Sequence, residues 1–300
     1  MSAIKRRRYA SMSASEGGMS RKRIGSVTTL VLAGAVIALV GAMLAVTATP
    51  SAGQERKYRA PRTADGTPDL NGVWQAVNTA NWDIQDHDQR QGPLLQLGAA
   101  FSVPAGEGVV VGNEIPYQPS ALAKKKENAA QWLKLDPEIK CYLPGIPRAT
   151  YMPYPFQIVQ TPANLVFSYA FANASRIVYM NTKVEAQIDT WMGYSSGRWE
   201  GDTLVIDTTG FNEETWFDRA GNFHSDALRV TERYTATSPD ALAYEVTIED
   251  PKVFTRPWQM RMPLYRRLEQ AARVWKYNCI EFAEEVIYGH LRKSSSGSTR

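Results

Sequence analysis

His224, Glu232 and Asp207 are the side chains whose type and placement could carry proton-transfer chemistry. His224 lies in the loop sequence Gly221-Asn222-Phe223-His224-Ser225-Asp226, just ahead of a strand-like run. A loop imidazole among carboxylates (Asp218, Asp226, and Asp207 or Glu232 in space) is the composition of a general base or acid. The alternative is an exposed histidine or one that only stabilises its loop. Glu232 shares the alternating face of Leu228, Val230 and Tyr234, which the apolar pattern turns inward. A carboxylate there is costly unless paired. It is either a perturbed acid/base or ligand anchor, or the partner of an arginine such as Arg176 or Arg261. Asp207 follows Val205 on one face of a strand and precedes Thr208-Thr209-Gly210; it points into a cavity or caps the turn.

Other chemistries lack their frames. Asp86-His87-Asp88 hints at a metal. The chain has only three histidines, though, and no HxH, HExxH or cysteine cluster, so no metal site is expected. No GxSxG elbow and no phosphate loop is present, and no cofactor is expected. Aromatic residues are the richer resource. Tyr151, Tyr154, Trp191, Trp199 and Trp258 would line a site for a small apolar or aromatic ligand, or else pack the core.

The elements that must position these residues are mostly strands. The clearest unit is the run from Ser196 to Asn212, SGRWEGDTLVIDTTGFN. Gly201-Asp202 separates two β-like runs as a two-residue hairpin turn would. From residue 156 onward the pattern is almost wholly β, with runs at 156–160, 165–171, 176–180, 187–194, 228–235, 242–249, 258–268 and 273–279. Leu242, Tyr244, Val246 and Ile248 alternate with polar residues, as do Trp258, Met260, Met262 and Leu264. One apolar face per strand implies an antiparallel sheet, and eight or more such strands tend to close into a barrel. Asn71-Gly72-Val73-Trp74 reads as entry into the first strand, with Trp74 plugging one barrel end. A short strand is expected at 108–112. One helix is expected at 119–135, with Leu122, Ala129, Trp132 and Leu133 inward, and another at 280–291. Residues 136–155 hold five prolines and read as a long loop pinned by Cys141.

Length and charge divide the chain. At 300 residues it can bury a large core, and its net charge is +4. The excess is N-terminal (Lys5 to Arg8 and Arg21 to Arg23), so it marks a targeting segment and no nucleic-acid partner. Residues 27–46 are apolar without a charge, and small residues follow. That is a secretory signal cleaved after Ala48 or Ala52, or an uncleaved membrane anchor. Met19 would begin a signal of more usual length. No cysteine lies near enough for a lipoprotein anchor. The expected plan is a signal or anchor at 1–52, a lead-in at 53–68, a single β-barrel domain at 69–291 and a polar tail at 292–300. The domain is periplasmic or secreted and touches a membrane only through residues 27–46 if they are retained. In an oxidising compartment the two cysteines, Cys141 and Cys279, are expected to pair.

The ordered motifs PDLNGVW, DPEIKCYLPGIPR, IVQTP, RIVYM, GRWEGDTLVIDTTGFN, HSDALRVTERY and TIEDPKVFTRPW resemble those of a family of secreted, mostly uncharacterised bacterial proteins. The resemblance covers about residues 65–282 and implies a lipocalin-like β-barrel core. It carries no general activity. The C-terminal YNCIEFAEEVIYGHL departs from the family pattern, lacking a polar Glu/Asn cluster after the cysteine. Two functions remain. One is an exported barrel binding a small, largely apolar or aromatic molecule. The other is a cofactor-free lyase, isomerase or hydrolase using His224 with Glu232 or Asp207.

Overall fold

The computed structural model describes residues 58–92, 97–99 and 102–291. The signal or anchor segment and the tail after residue 291 lie outside the described residues. Nine strands close into one barrel in sequence order: β1 (Gly72–Ala76), β2 (Phe156–Gln160), β3 (Asn164–Tyr169), β4 (Ser175–Met180), β5 (Tyr194–Glu200), β6 (Thr203–Thr209), β7 (Arg229–Ser238), β8 (Ala241–Glu249) and β9 (Trp258–Arg266). β1 pairs with β9 to close the ring. Every pairing is antiparallel except β4 with β5, which is parallel. Parity requires this. A ring with an odd number of strands cannot alternate direction throughout, so one neighbouring pair must run the same way. The chain meets that need with residues 181–193, which return it to the starting end of β4. The expected antiparallel barrel is therefore correct in kind and altered at one seam.

Two strand expectations fail. Residues 187–193 belong to the crossover, joined to the barrel by the bridge Thr190↔Phe211. Residues 273–279 are irregular and run to the disulfide. Both runs have apolar residues but no vacant strand edge to pair with once the ring has closed. Residues 108–112 give only a single bridge, Val110↔Met260, before a 3-10 turn. Among the described residues α-helix appears in four short pieces: α1 (Pro119–Ala130), α2 (Trp132–Leu135), α3 (Arg148–Tyr151) and α4 (Ala283–Tyr288). α1 buries Ala121 and Asn128 rather than Leu122, which is exposed. Among the described residues no helix is long and apolar enough to cross a membrane.

The hairpin forms as its composition requires. Gly201 takes φ +63, open to glycine without strain, and pairs β5 with β6 from Glu200↔Thr203 to Tyr194↔Thr209. Trp74, in β1, is buried. Its indole donates to the Leu70 carbonyl at 3.0 Å, and the Arg266 guanidinium lies 4.2 Å from its ring centroid.

The lumen is packed with side chains. Phe156, Phe167, Tyr169, Tyr234, Tyr244, Val246, Met260 and Leu264 are all buried. Phe156, Phe167 and Tyr169 pack ring against ring. At the opposite end a second aromatic group, Phe211, Phe217, Phe254 and Trp258, continues the core into the loops.

Candidate functional site

The structure disperses the residues on which proton transfer would depend. Glu232 sits at the centre of the lumen. Its carboxylate accepts from Arg176 Nη1 at 2.5 Å and Nη2 at 3.1 Å, and from the hydroxyls of Tyr234 (2.9 Å) and Tyr244 (2.7 Å). It is the arginine partner foreseen as one alternative, with Arg176 and not Arg261 as its mate. Arg261 is on the outside with Glu245. The Arg176 guanidinium also lies 4.5 Å from the Phe167 ring centroid. Asp207 is on the outer wall. It binds Arg198 and accepts from Thr231 at 2.7 Å; it caps no turn, and the cavity it lines is a cleft on the outer wall, with Arg198 and Arg229, and not the lumen. A strand alternates faces at every residue, so Asp207, paired with Thr231, and Glu232 sit on opposite sides of the wall.

His224 is buried in the loop before β7. Its Nδ1 must carry the proton, because it faces the Ser225 carbonyl at 2.8 Å. Nε2 is then an acceptor, and the Thr215 hydroxyl donates to it at 2.5 Å. Burial pushes this imidazole below its ordinary pKa. A hydroxyl on a neutral histidine resembles an activated nucleophile. Here Thr215 and His224 are each 2% exposed and are walled by Phe211, Phe217 and Gly145. The pair latches one loop to another.

The aromatic candidates also separate. Tyr151 is buried and donates to the Phe217 carbonyl at 2.8 Å. Tyr154 packs on Phe171 and Tyr277, and Trp191 on Tyr142. Trp199 is half-buried against the core, and Trp258 is buried between Phe217 and Phe254. These five do not form one site. His87 lies in a turn bridged to Gly106, and among the described residues no cluster of three or more His, Cys, Asp or Glu could hold a metal ion.

A different constellation does converge, outside the lumen. Trp82, Asp83, Arg90, Lys125, Trp132 and Arg219 line a cleft of 350 Å³. Three segments build it. In the loop after β1, Trp82 and Asp83 turn back through N–H bonds to the Thr79 carbonyl. The loop between β6 and β7 docks on that turn twice. The Arg219 N–H donates to the Asn81 carbonyl at 3.0 Å, and Asp218 accepts from the Ile84 N–H at 2.9 Å. Gly221 lets this loop touch α1. At φ +82, any Cβ would stand 2.5 Å from the Ala129 nitrogen and 2.7 Å from the Lys125 carbonyl. That approach brings Trp132, just past α1, over Arg219.

The Arg219 guanidinium lies against two indoles, 4.4 Å from the Trp82 centroid and 5.2 Å from that of Trp132. The indoles meet edge to face at 6.1 Å. Behind them Arg219 makes a two-pronged bond to Glu138, at 2.8 and 2.9 Å. Glu138 also accepts from Arg148 at 2.7 Å and from Asn81 at 3.2 Å. Arg148 in turn clamps Asp136 with bonds of 2.7 and 3.0 Å. Burial alone would raise Glu138, but the two guanidiniums outweigh it and hold the carboxyl down to about 2. The disulfide Cys141–Cys279 flanks this loop, and the Phe282 N–H donates to the Ile139 carbonyl at 2.9 Å.

Next to the cleft is a second acid. Asp218 is fully buried, accepts from the Asn222 side-chain amide at 2.6 Å, and neighbours Asp83. Burial first, and the Asp83 charge second, push it up to about 7. Trp82 is legible in the sequence as one aromatic among many. Trp132 is legible only as an inward residue of the expected helix and Arg219 carries no local signal, because their meeting depends on three segments far apart in the chain.

No known family model matches the chain, and no curated protein matches it either.

Proposed function

We propose that this chain is an exported barrel protein that binds a small, largely aromatic molecule in the cleft lined by Trp82 and Trp132. The observation that carries the reading is the cluster of Trp82, Trp132 and the Arg219 guanidinium on the cleft wall, held from behind by Glu138 and Arg148. Preformed aromatic walls with a few fixed polar groups suit a ligand of one or two rings, and 350 Å³ lies within the usual range of such sites. The lumen, crowded around Arg176 and Glu232, is the poorer candidate. Export is supported by the basic-then-apolar N-terminal segment and by the disulfide, which persists in oxidising compartments.

The test is native mass spectrometry and thermal-shift screening of the processed protein against apolar and phenolic compounds. Any hit is then repeated on Trp82→Ala. Hits that bind the variant equally well, or no hits at all, would remove this reading.

A second reading has its own observation. Asp83 lines the same cleft, and the buried Asp218 behind it is pushed up to about 7, a coupled acid pair suited to proton transfer without a cofactor. It requires that a bound compound be turned over and that Asp83→Asn stop turnover while preserving binding.

A further inference from the structure

We infer that the cleft selects aromatic carboxylates, planar rings bearing one acidic group, over neutral or cationic aromatics. This rests on the binding reading above and deepens it. The charges behind the cleft cancel: Asp136 and Glu138 face Arg148 and Arg219 in one closed network. The selectivity is therefore set by the groups that line the opening. Arg90 and Lys125 stand there, and neither joins an ion pair among the described residues. Asp83 is the opposing charge on the lining. It is mostly buried, and it accepts from the Gln85 N–H at 3.0 Å, directed at its own loop. The bonds of Arg219 to Glu138 use Nε and Nη2, leaving Nη1 out of that pair.

A cationic ligand is disfavoured for a separate reason. Indole rings attract a cation, but the Arg219 guanidinium already lies against both Trp82 and Trp132. A positive ligand would meet Arg219, Arg90 and Lys125 together. A ring can still lie against the exposed indole surfaces while its carboxylate reaches the cations at the rim, where charge-assisted bonds to arginine are the strong kind.

The experiment is calorimetric titration of the processed protein with three probes that share one ring: indole-3-acetate, indole and tryptamine. Expected is binding of indole-3-acetate about tenfold or more tighter than indole, with tryptamine weakest, and a preference that shrinks as salt is raised. Arg90→Gln/Lys125→Gln, two rim positions outside the buried network, should bind the acid and the neutral ring alike. Equal affinity of wild type for indole and indole-3-acetate, or tighter binding of tryptamine, would overturn the carboxylate inference and leave the binding reading standing. If no probe binds, and no other one- or two-ring compound does, both fall. A preference for the acid that persists unchanged in the double variant would also overturn it, since the rim cations would not be its source.

Discussion

At the scale of single residues, the lumen contains a charge pair that stabilises only as a pair. Arg176 and Glu232 are removed from water, and both oxygens of the carboxylate are occupied by guanidinium and phenol donors. Removing one partner of such a pair strands the other charge, at a cost of about 3–5 kcal/mol. Arg176→Met should lose about that much in chemical denaturation, and Arg176→Met/Glu232→Gln should recover part of it. In the double variant no charge is left buried, and the Gln carbonyl still accepts from tyrosine. A double variant less stable than Arg176→Met would contradict this. Asp218 makes a pH-dependent contribution. Around it lie Asp83, Arg148, Tyr117, Tyr151 and Asn222. Its folded-state pKa is raised from 3.8 to about 7, so between these values the native protein keeps a proton that the unfolded chain has released. The Asp218 contribution therefore falls as pH rises through this window, by at most about 4 kcal/mol at 1.36 kcal/mol per pKa unit, and is flat above it. His224 acts with the opposite sign. Burial lowers its pKa from 6.5, so its contribution is present above that value and fades as pH falls. Asp218→Asn isolates the first effect. Asn has one acceptor oxygen for three donors, so the variant should be the less stable protein near pH 4, and the gap should narrow towards pH 7. A gap that is constant with pH would show that Asp218 is ionised throughout. Glu232 as an inward carboxylate was readable from strand alternation. Asp218 was not, since a loop has no periodicity to show which way a side chain points.

Among the elements, the C-terminal segment after β9 has the least regular structure and a clear task. It leaves the barrel at Arg266, adds no tenth strand and ends on the loop that holds Asp136 and Glu138. The disulfide spans 138 residues of chain, and closing a loop of that size restricts the unfolded state by about 4–5 kcal/mol in the chain-entropy model. Reduction, or Cys141→Ser/Cys279→Ser, should lower the melting temperature and weaken any ligand of the cleft, because Glu138 positions Arg219 from this loop. The far-UV signal of the barrel strands should remain, since no strand contains either cysteine. Loss of all β structure on reduction would mean that the strap holds the barrel itself together. The strands between 156 and 266 were legible because their period of two is visible in Leu242 to Ile248 and Trp258 to Leu264. The runs at 187–193 and 273–279 misled because a short apolar run resembles a strand whether or not an edge is open to receive it. α1 was found by its proline and length. Its inward face was misassigned, because it packs on a loop through Ala121 and Asn128 and not on the sheet through Leu122.

For the whole molecule, the uneven charge and the N-terminal apolar run make export the testable property. N-terminal sequencing of protein recovered from the periplasmic fraction of a bacterial host should find a chain beginning after Ala48 or Ala52. Full-length protein held in the inner membrane would replace the signal with an anchor. The closed barrel, the inward Glu232, the Gly201 hairpin and the Cys141–Cys279 bond were determined by the sequence itself. Each depends on a local rule: alternation, turn composition, or the pairing of the only two cysteines. The parallel seam between β4 and β5, the packed lumen and the Trp82–Arg219–Trp132 cleft were decided only in three dimensions. Ring closure is a property of all nine strands together. The cleft exists because loops after β1, before β2 and before β7 dock through backbone bonds and one glycine contact, none of which leaves a spacing in the chain.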